Sequence, residues 1–445
     1  MKTPIYDFVK EYSKRDALRL HMPGHKGSGP LGFERYDITE IAGADCLYSA
    51  TGIIKESEDS LTSIFDTGLS VYSCEGSSLC VRAMLYLAQL NSGARGGYAL
   101  SGRNAHSSFI TASALLGFDV KWLYPNSKES YLSCTISPEM LENALRSVRK
   151  KPFCVYITSP DYLGNIADIK GLSQVCDKFN IPLLVDNAHG AYLKFLPNDL
   201  HPITQGATMC CDSAHKTLPV LTGGAYLHIS KKAPHVFKNQ CKEALKLFGS
   251  TSPSYLILSS LDLCNRYLTD GYSDALATFT AELDKVKGRL KAYGFDILGT
   301  EPLKMTIKAT TYGYTGTELA CELEKRGVVC ELCDKDLVVL MLSLENGFNT
   351  LKKIERCFYD IDRREPIRHR IPSVTPPQVS MSIRDAFFAK KCLLPLKECE
   401  GKIASGINTT CPPAVSILVP GEVIDKSAIK ALKYYGYKDI YVIDK

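Results

Sequence analysis

The sequence has no apolar run approaching the roughly 18–20 residues needed to cross a bilayer. It also has no signal-peptide pattern: "MKTPIYDFVKEYSKRDALRL" is charged and amphipathic, without an apolar core or a small-residue cleavage site. These absences lead us to expect a cytoplasmic protein with no membrane partner. No Lys/Arg block longer than a few residues occurs, and the net charge of +5 with a pI near 8.3 is modest for 445 residues. Nucleic acid is therefore not an implied partner. Seventeen cysteines are present, yet the one C-x-x-C, "CELC" at 330–333, has no second pair or histidine cluster at zinc spacing. Reduced, mostly buried cysteines packing as small hydrophobes are expected, and no metal site. Internal repeats and low-complexity tracts are lacking too.

What is there describes a folded protein: 45% hydrophobic and 23% charged residues, in a chain long enough for two or three domains. Residues 1–57 read as an N-terminal arm, one helical stretch followed by the Gly/Pro-rich "HMPGHKGSGPLGF" and the acidic "YDITEIAGADCLY". From 58 to 290, short apolar runs ("GGYALSG", "DVKWLYP", "FCVYITSP", "PLLVDNAHG", "GATMCCDSAHK") alternate with helical patterns such as "SPEMLENALRSVRK" and "DIKGLSQVCDKFN". That alternation predicts βαβ units on a mostly parallel sheet, an α/β large domain. Residues 291–375 suggest a smaller α+β domain. The Pro-rich seam "IPSVTPPQVS" leads into a C-terminal piece at 376–445 that ends in "YKDIYVIDK".

In an open α/β sheet, ligands bind beyond the carboxyl ends of the strands. "PLLVDNAHG" leaves Asp186 at such an exit, and "CDSAHKT" leaves Lys216 at another, 30 residues on. Read singly, Asp186 is equally a turn or N-cap aspartate, and Lys216 a solvated charge. Read together, they are the two groups that a pyridoxal-phosphate site needs. A carboxylate keeps the pyridine nitrogen protonated so that the ring accepts electrons, and a lysine holds the aldehyde covalently. A solvated lysine titrates near 10.4 and is a poor nucleophile at neutral pH. Desolvation and a neighbouring His215 cation are expected to lower it.

A phosphate needs a cradle. In "SCEGSSLCVRAMLYLAQL", Gly76, Ser77 and Ser78 precede an apolar helical stretch, so backbone N–H groups and two hydroxyls can meet a dianion, although Gly-Ser-Ser is also an ordinary helix cap. Ser213 and His215 could add donors. In "SGRNAHSSF", His106 follows another strand and reads either as a loop histidine or as a ring contact.

The motifs "LRLHMPGHKGSG", "DITE", "RNAHSS", "VDNAHGAYLKF", "DSAHKTL", "STSPSYLILSSLD" and "CPPAVSILVPGE" occur in one order. As a set they resemble the bacterial ornithine/lysine/arginine decarboxylase family of fold type I pyridoxal-phosphate enzymes, over nearly the whole chain. The resemblance implies decarboxylation of a basic amino acid to the corresponding amine and CO₂, with pyridoxal 5'-phosphate as cofactor. It makes Lys216 the Schiff-base lysine, Asp186 the partner of the pyridine nitrogen, His106 the ring-stacking histidine and Ala188 the contact on the opposite face. His189 matches a bulky ring beside cofactor and substrate. Gly76, Ser77, Ser78, Ser213 and His215 match phosphate-side positions. Ser250 matches a hydroxyl residue that reaches the neighbouring subunit's phosphate, which implies a homodimer with its site at the interface. Proton return to Cα would fall to Lys216 or His215.

Departures are visible. Asn187 and Tyr192 replace an acid and a histidine of the family pattern, and Glu75 stands where an asparagine is usual. The large family members carry an N-terminal wing domain and a longer C-terminal domain, so this chain reads as the short form. Two rival readings are another reaction of the same cofactor, transamination or lyase chemistry, and a non-catalytic cofactor-binding regulator. An aminotransferase would use an arginine clamp, for which Arg363, Arg364, Arg368 and Arg370 are candidates, though an exposed linker patch reads equally well. A basic substrate also asks for acids at its far end. Asp37, Glu40 and Asp45 are candidates, with solvated or capping carboxylates as the alternative. Glu422 in "VPGEVI" is a candidate for placing the C-terminal piece.

Overall fold

The computed structural model describes every residue except 94–95, 125–129, 373–375, 410–412 and 445. Part of the Pro-rich seam, and the first two residues of "CPPAVSILVPGE", therefore lie outside the described residues. Seven strands, β1 (Leu69–Ser73), β2 (Tyr98–Gly102), β3 (Asp119–Leu123), β4 (Cys154–Thr158), β5 (Leu183–Asp186), β6 (Met209–Asp212) and β7 (Ala225–Ile229), form one sheet in the order β1-β7-β6-β5-β4-β2-β3. β2 and β3 are parallel, as are β5 and β6. β2, β5, β6 and β7 are buried along their whole length, as strands covered on both faces should be. The α/β architecture expected from the sequence is the one observed.

The sheet is not parallel throughout. β7 runs antiparallel to both β6 and β1. The link that carries Lys216 holds only the four-residue helix Ala214–Thr217. A parallel return needs a crossover built on a longer helix, so the chain doubles back.

The chain forms two compact units. The first comprises Met1–Arg95, Phe153–Val155 and Ile169–Leu276. Its helix Ile169–Phe179 buries Ile169, Leu172, Val175 and Cys176, the one-sided stripe that the sequence pattern predicts. Asp262, fully buried on the helix Tyr255–Thr269, accepts the backbone N–H groups of Ile5 and Tyr6 at 2.9 and 3.0 Å. It thereby satisfies open donors at the start of the N-terminal helix Pro4–Ser13. Ser57 Oγ donates to its other oxygen at 2.5 Å.

The second unit comprises Gly96–Pro152, Tyr156–Asp168 and Ala277–Lys445. It includes an antiparallel sheet of β8 (Asp296–Leu298), β9 (Lys304–Lys308), β10 (Leu332–Cys333) and β11 (Leu337–Met341), in the order β10-β11-β9-β8. β12 (Lys391–Pro395) and β13 (Asp439–Ile443) pair in a second, two-stranded sheet. Leu396, Ile417, Leu418, Ile424, Leu432 and Val442 pack as the apolar core of the C-terminal piece.

Glu422 does tie that piece down. Its Oε2 lies 2.8 Å from Arg103 Nη2, with side chains 2% and 12% exposed, and it also accepts the Val419 N–H at 2.7 Å. Arg103 Nη2 donates to the Ile417 carbonyl at 3.0 Å. A few residues on, Ser107 N–H donates to the Ala414 carbonyl at 2.8 Å.

Candidate active site

In the first unit, parallel pairing puts Asp186 opposite Cys211, so the exits of β5 and β6 are adjacent. Asp186 is 3% exposed, and its Oδ1 accepts the Ala188 N–H at 3.3 Å. Beyond β6, Ser213 opens the turn and its carbonyl accepts the Lys216 N–H at 2.9 Å. Lys216 Nζ reaches back toward the β5 exit and lies 3.0 Å from His189 Nε2. His189 is itself buried. The two groups that the sequence singled out, Asp186 and Lys216, thus leave neighbouring strands.

His215 differs from expectation. Burial pushes its pKa down, and the Lys216 charge pushes it further in the same direction, against an opposing bond to Gly224. His215 is therefore neutral at pH 7 and supplies no cation beside Lys216. Its Nδ1 lies 2.9 Å from the Gly224 carbonyl, which requires the proton on Nδ1 and leaves Nε2 as an acceptor.

The residues expected on the phosphate side gather around the start of the helix Gly76–Ser92. Ser213 Oγ donates to Ser77 Oγ at 2.8 Å, so the turn before Lys216 and the helix start share one place. Gly76 has φ +69°, a backbone form that favours glycine, and a Cβ built there would meet no atom within 4 Å. Its own N–H is spent on the Gly223 carbonyl at 2.8 Å. No side chain caps this helix, which leaves the first-turn amides of Ser77 and Ser78 to an outside acceptor. Ser250 lies beside the same loop: its N–H donates to Glu75 Oε1 at 2.6 Å, giving the unusual Glu75 a partner.

An open hydroxyl-rich cradle, a buried carboxylate and a half-buried lysine fit pyridoxal phosphate, which needs an anion site, a ring-nitrogen acid and an amine. His106 belongs to the second unit. There its Nδ1 accepts the Ser108 N–H at 3.1 Å, capping the helix Ser107–Leu116. Ala188 lies two residues beyond Asp186 and is half-buried.

Other candidates resolve differently. Asp45 Oδ1 and Oδ2 accept the backbone N–H groups of Cys46, Thr51, Gly52, Ile54 and Lys55 at 2.8–3.3 Å, so Asp45 is a cap. Asp37 Oδ2 lies 3.2 Å from His25 Nε2, and Glu40 takes the Thr39 hydroxyl at 2.6 Å. Arg363, Arg364, Arg368 and Arg370 are exposed, as a linker patch would be. The described cysteines are all free and Cys333 is exposed. Among the described residues no helix is long and apolar enough to cross a membrane.

Sequence reasoning missed a buried polar cluster behind the exits. Asp212, the last residue of β6, is fully buried. Asn187 Nδ2 donates to its Oδ1 at 2.7 Å, and His201 Nε2 meets its Oδ2 at 3.0 Å. His228 Nε2 comes within 3.3 Å of that same oxygen, though out of line for a hydrogen bond. Ser70 Oγ pairs with His228 Nδ1 at 2.7 Å. The one available signal was Asp212 itself, an acid closing an apolar run immediately before Ser213.

The sequence model of the family described as "Orn/Lys/Arg decarboxylase, major domain" matches residues 3–282, more than half of the chain. The chain belongs to that family. It is a pyridoxal-phosphate-dependent decarboxylase of basic amino acids. Among curated proteins, it is 28% identical over 464 residues to the arginine decarboxylase of Bacillus subtilis (strain 168), covering 96% of this chain and 92% of that protein. It is 26% identical to the arginine decarboxylase of Halalkalibacterium halodurans, covering 97% and 93%. Among solved structures, the Francisella novicida lysine decarboxylase LdcF superposes with TM-score 0.77 at 17% identity, covering 99% of this chain and 81% of that one. At that identity the likeness establishes the fold.

Proposed function

We propose that Lys216 and Asp186 carry the decarboxylation, with arginine as the first substrate to test. The observation that carries this reading is the pair of neighbouring strand exits, one ending in a buried carboxylate and the other leading to a lysine held against His189. Full-length similarity to proteins named arginine decarboxylase supports the substrate choice.

When bound, pyridoxal phosphate supplies the electron sink for the pair left on Cα as CO₂ departs. The protein's share of the work is local. Asp186, shielded from water, keeps a proton on the ring nitrogen. Lys216 Nζ would hold the cofactor and is the amine placed to return a proton to Cα. His215 Nε2, neutral and with its other nitrogen fixed by Gly224, is a second proton carrier at the same turn. His189 orients the Lys216 amine. Ser77 and Ser78 would bind the phosphate with their first-turn amides and hydroxyls, Ser213 would support Ser77, and Gly76, its N–H spent on Gly223, would keep the approach clear. The roles of His106 and Ala188 on the two ring faces rest on the family resemblance.

We further propose a homodimer; the role of Ser250, which here lies beside its own chain's Gly76 loop, at the partner's site rests on the family resemblance. Support comes from the arm, where Leu18 is 91% and Leu20 89% exposed, with Met22 and Leu31 at 66% and 68%. Such an apolar surface is what a second chain would cover.

The test is CO₂ release together with amine product, from purified protein given pyridoxal phosphate and arginine, lysine or ornithine in turn. Agmatine in step with CO₂, from arginine above the others, is expected. Amine from lysine or ornithine alone would overturn the substrate assignment. Keto acid without CO₂ would overturn decarboxylation in favour of transamination, with Lys216 and Asp186 keeping their places on the cofactor.

A further inference from the structure

The Asp212 cluster has no place in the roles above, yet it sits directly behind both of the residues that carry them. From Asp186 the chain takes one step to Asn187. The Asn187 N–H donates to the Cys211 carbonyl at 3.0 Å, and its Nδ2 to Asp212 Oδ1 at 2.7 Å. From Asp212 one step leads to Ser213, whose carbonyl holds the Lys216 amide. Both Asn187 and Asp212 are 0% exposed, so water cannot stand in for either partner. The amide has little room to move: a Cβ on Gly190 would lie 2.1 Å from Asn187 Oδ1, which shows how closely that end is packed.

Resting on the assignment of Lys216 and Asp186, we propose that Asn187 is a positioning residue: its amide, by donating to Asp212, locks the exits of β5 and β6 together and holds Asp186 and Lys216 in register. The requirement is for one donor and one carboxylate. An acid at 187, as in the family pattern, would here face Asp212 across a hydrogen-bond distance, and two buried carboxylates so placed must share a proton. Burial works to raise the Asp212 carboxyl, but the His201 and His228 imidazoles facing it more than reverse that, so Asp212 is the partner that stays charged. Other titratable groups around the pair include Cys210 and Cys211 on β6, Cys80 from the helix Gly76–Ser92 and Tyr226 from β7, with Lys194 from the 3₁₀ turn Ala191–Phe195 acting on His228.

Exchanging the two side chains, the swap, is the reciprocal test. Asn187→Asp alone leaves two acids. At low pH the shared proton replaces the amide hydrogen, and as pH rises the proton is lost and the exits repel. Asp212→Asn alone removes the acceptor charge that His201 faces. Asn187→Asp with Asp212→Asn restores a donor to an acceptor, leaves a carbonyl oxygen for His201, and keeps the net charge.

Three quantities are measured between pH 6 and 8 on the full-length protein: kcat/KM, the absorbance band of lysine-bound cofactor, and the melting temperature without cofactor. Asn187→Asp is expected to lose about tenfold or more in kcat/KM at pH 8, with the loss receding toward pH 6 and the cofactor-free melting temperature following the same trend. The swap is expected to return to within about threefold of the parent, with the parent's pH profile. A parent-like Asn187→Asp, or a swap no better than the worse single variant, overturns the inference. Should Asn187→Asp fail to fold, the swap alone decides: folded and active supports the inference, anything less overturns it. A parent that shows no lysine-bound cofactor removes the underlying assignment and this inference together, whereas a parent that shows it beside a failed swap removes the inference alone.

Discussion

At the exits of β5 and β6, polar groups are buried or half-buried and met by partners from the same chain: Asp186 by the Ala188 amide, Asp212 by Asn187 and His201, Lys216 by His189. In the N-terminal arm the balance is reversed, with Leu18 and Leu20 about nine-tenths exposed and Asp45 drawn inward onto backbone amides. A chain shields its polar groups where they must be preorganised, because a low-dielectric setting strengthens each interaction and fixes its geometry. It leaves apolar side chains in water where something else is to cover them. The comparison therefore separates a region whose order is internal from one whose order, on the proposed reading, comes from a second copy.

Substitutions should sort accordingly. The largest effect is expected from Asp186→Ala, about 10²–10³-fold in kcat with weaker cofactor binding and an unchanged dimer, checked by steady-state kinetics and sedimentation. Parent-like turnover would remove the electron-sink role of Asp186. The converse change, Leu18→Ser with Leu20→Ser, should weaken dimerisation about tenfold or more, since a buried leucine contributes about 1.5–3 kcal/mol. Activity should fall only at protein concentrations where the dimer dissociates. Loss of activity at high concentration, with the dimer intact, would break the comparison.

The smallest effect concerns acid. Burial lowers the pKa of His215, and that of His228 likewise despite the opposing pull of Asp212. The unfolded chain then takes up protons first as pH falls below about 6.5, so stability is present above that value and is lost as pH drops toward the lowered folded values. Melting temperatures at pH 7.5 and 5.5 should show a decline that is smaller in His215→Gln, with the His228 part remaining. An equal decline in both proteins would mean that His215 is not desolvated as described.

How much of this the sequence disclosed follows from the range over which each feature is encoded. β5 and β6 are legible because each is a short apolar run ended by a polar residue, and their exits follow from the sheet class. The cradle is legible because Gly76, Ser77 and Ser78 are contiguous. The antiparallel course of β7 follows from a link without a crossover helix, a reading that the alternation of strands and helices obscured. The Asn187–Asp212–His201 contacts depend on register, since each residue alone looks ordinary and only the pairing of β5 with β6 brings them together. Asp45 shows the same gap from the other side: an acid in a suitable stretch was visible, but not the five amides that occupy it. Likewise the His215 charge depended on burial, which adjacency in "AHK" does not reveal.

The most direct test of the central claim is to reduce the protein with borohydride after adding pyridoxal phosphate, digest it, and locate the pyridoxyl mass. The account predicts a single modified peptide with the label on Lys216, and none in Lys216→Ala, whose fold should persist by circular dichroism. A label on another lysine, or labelling that survives in Lys216→Ala at the parent's level, would contradict it.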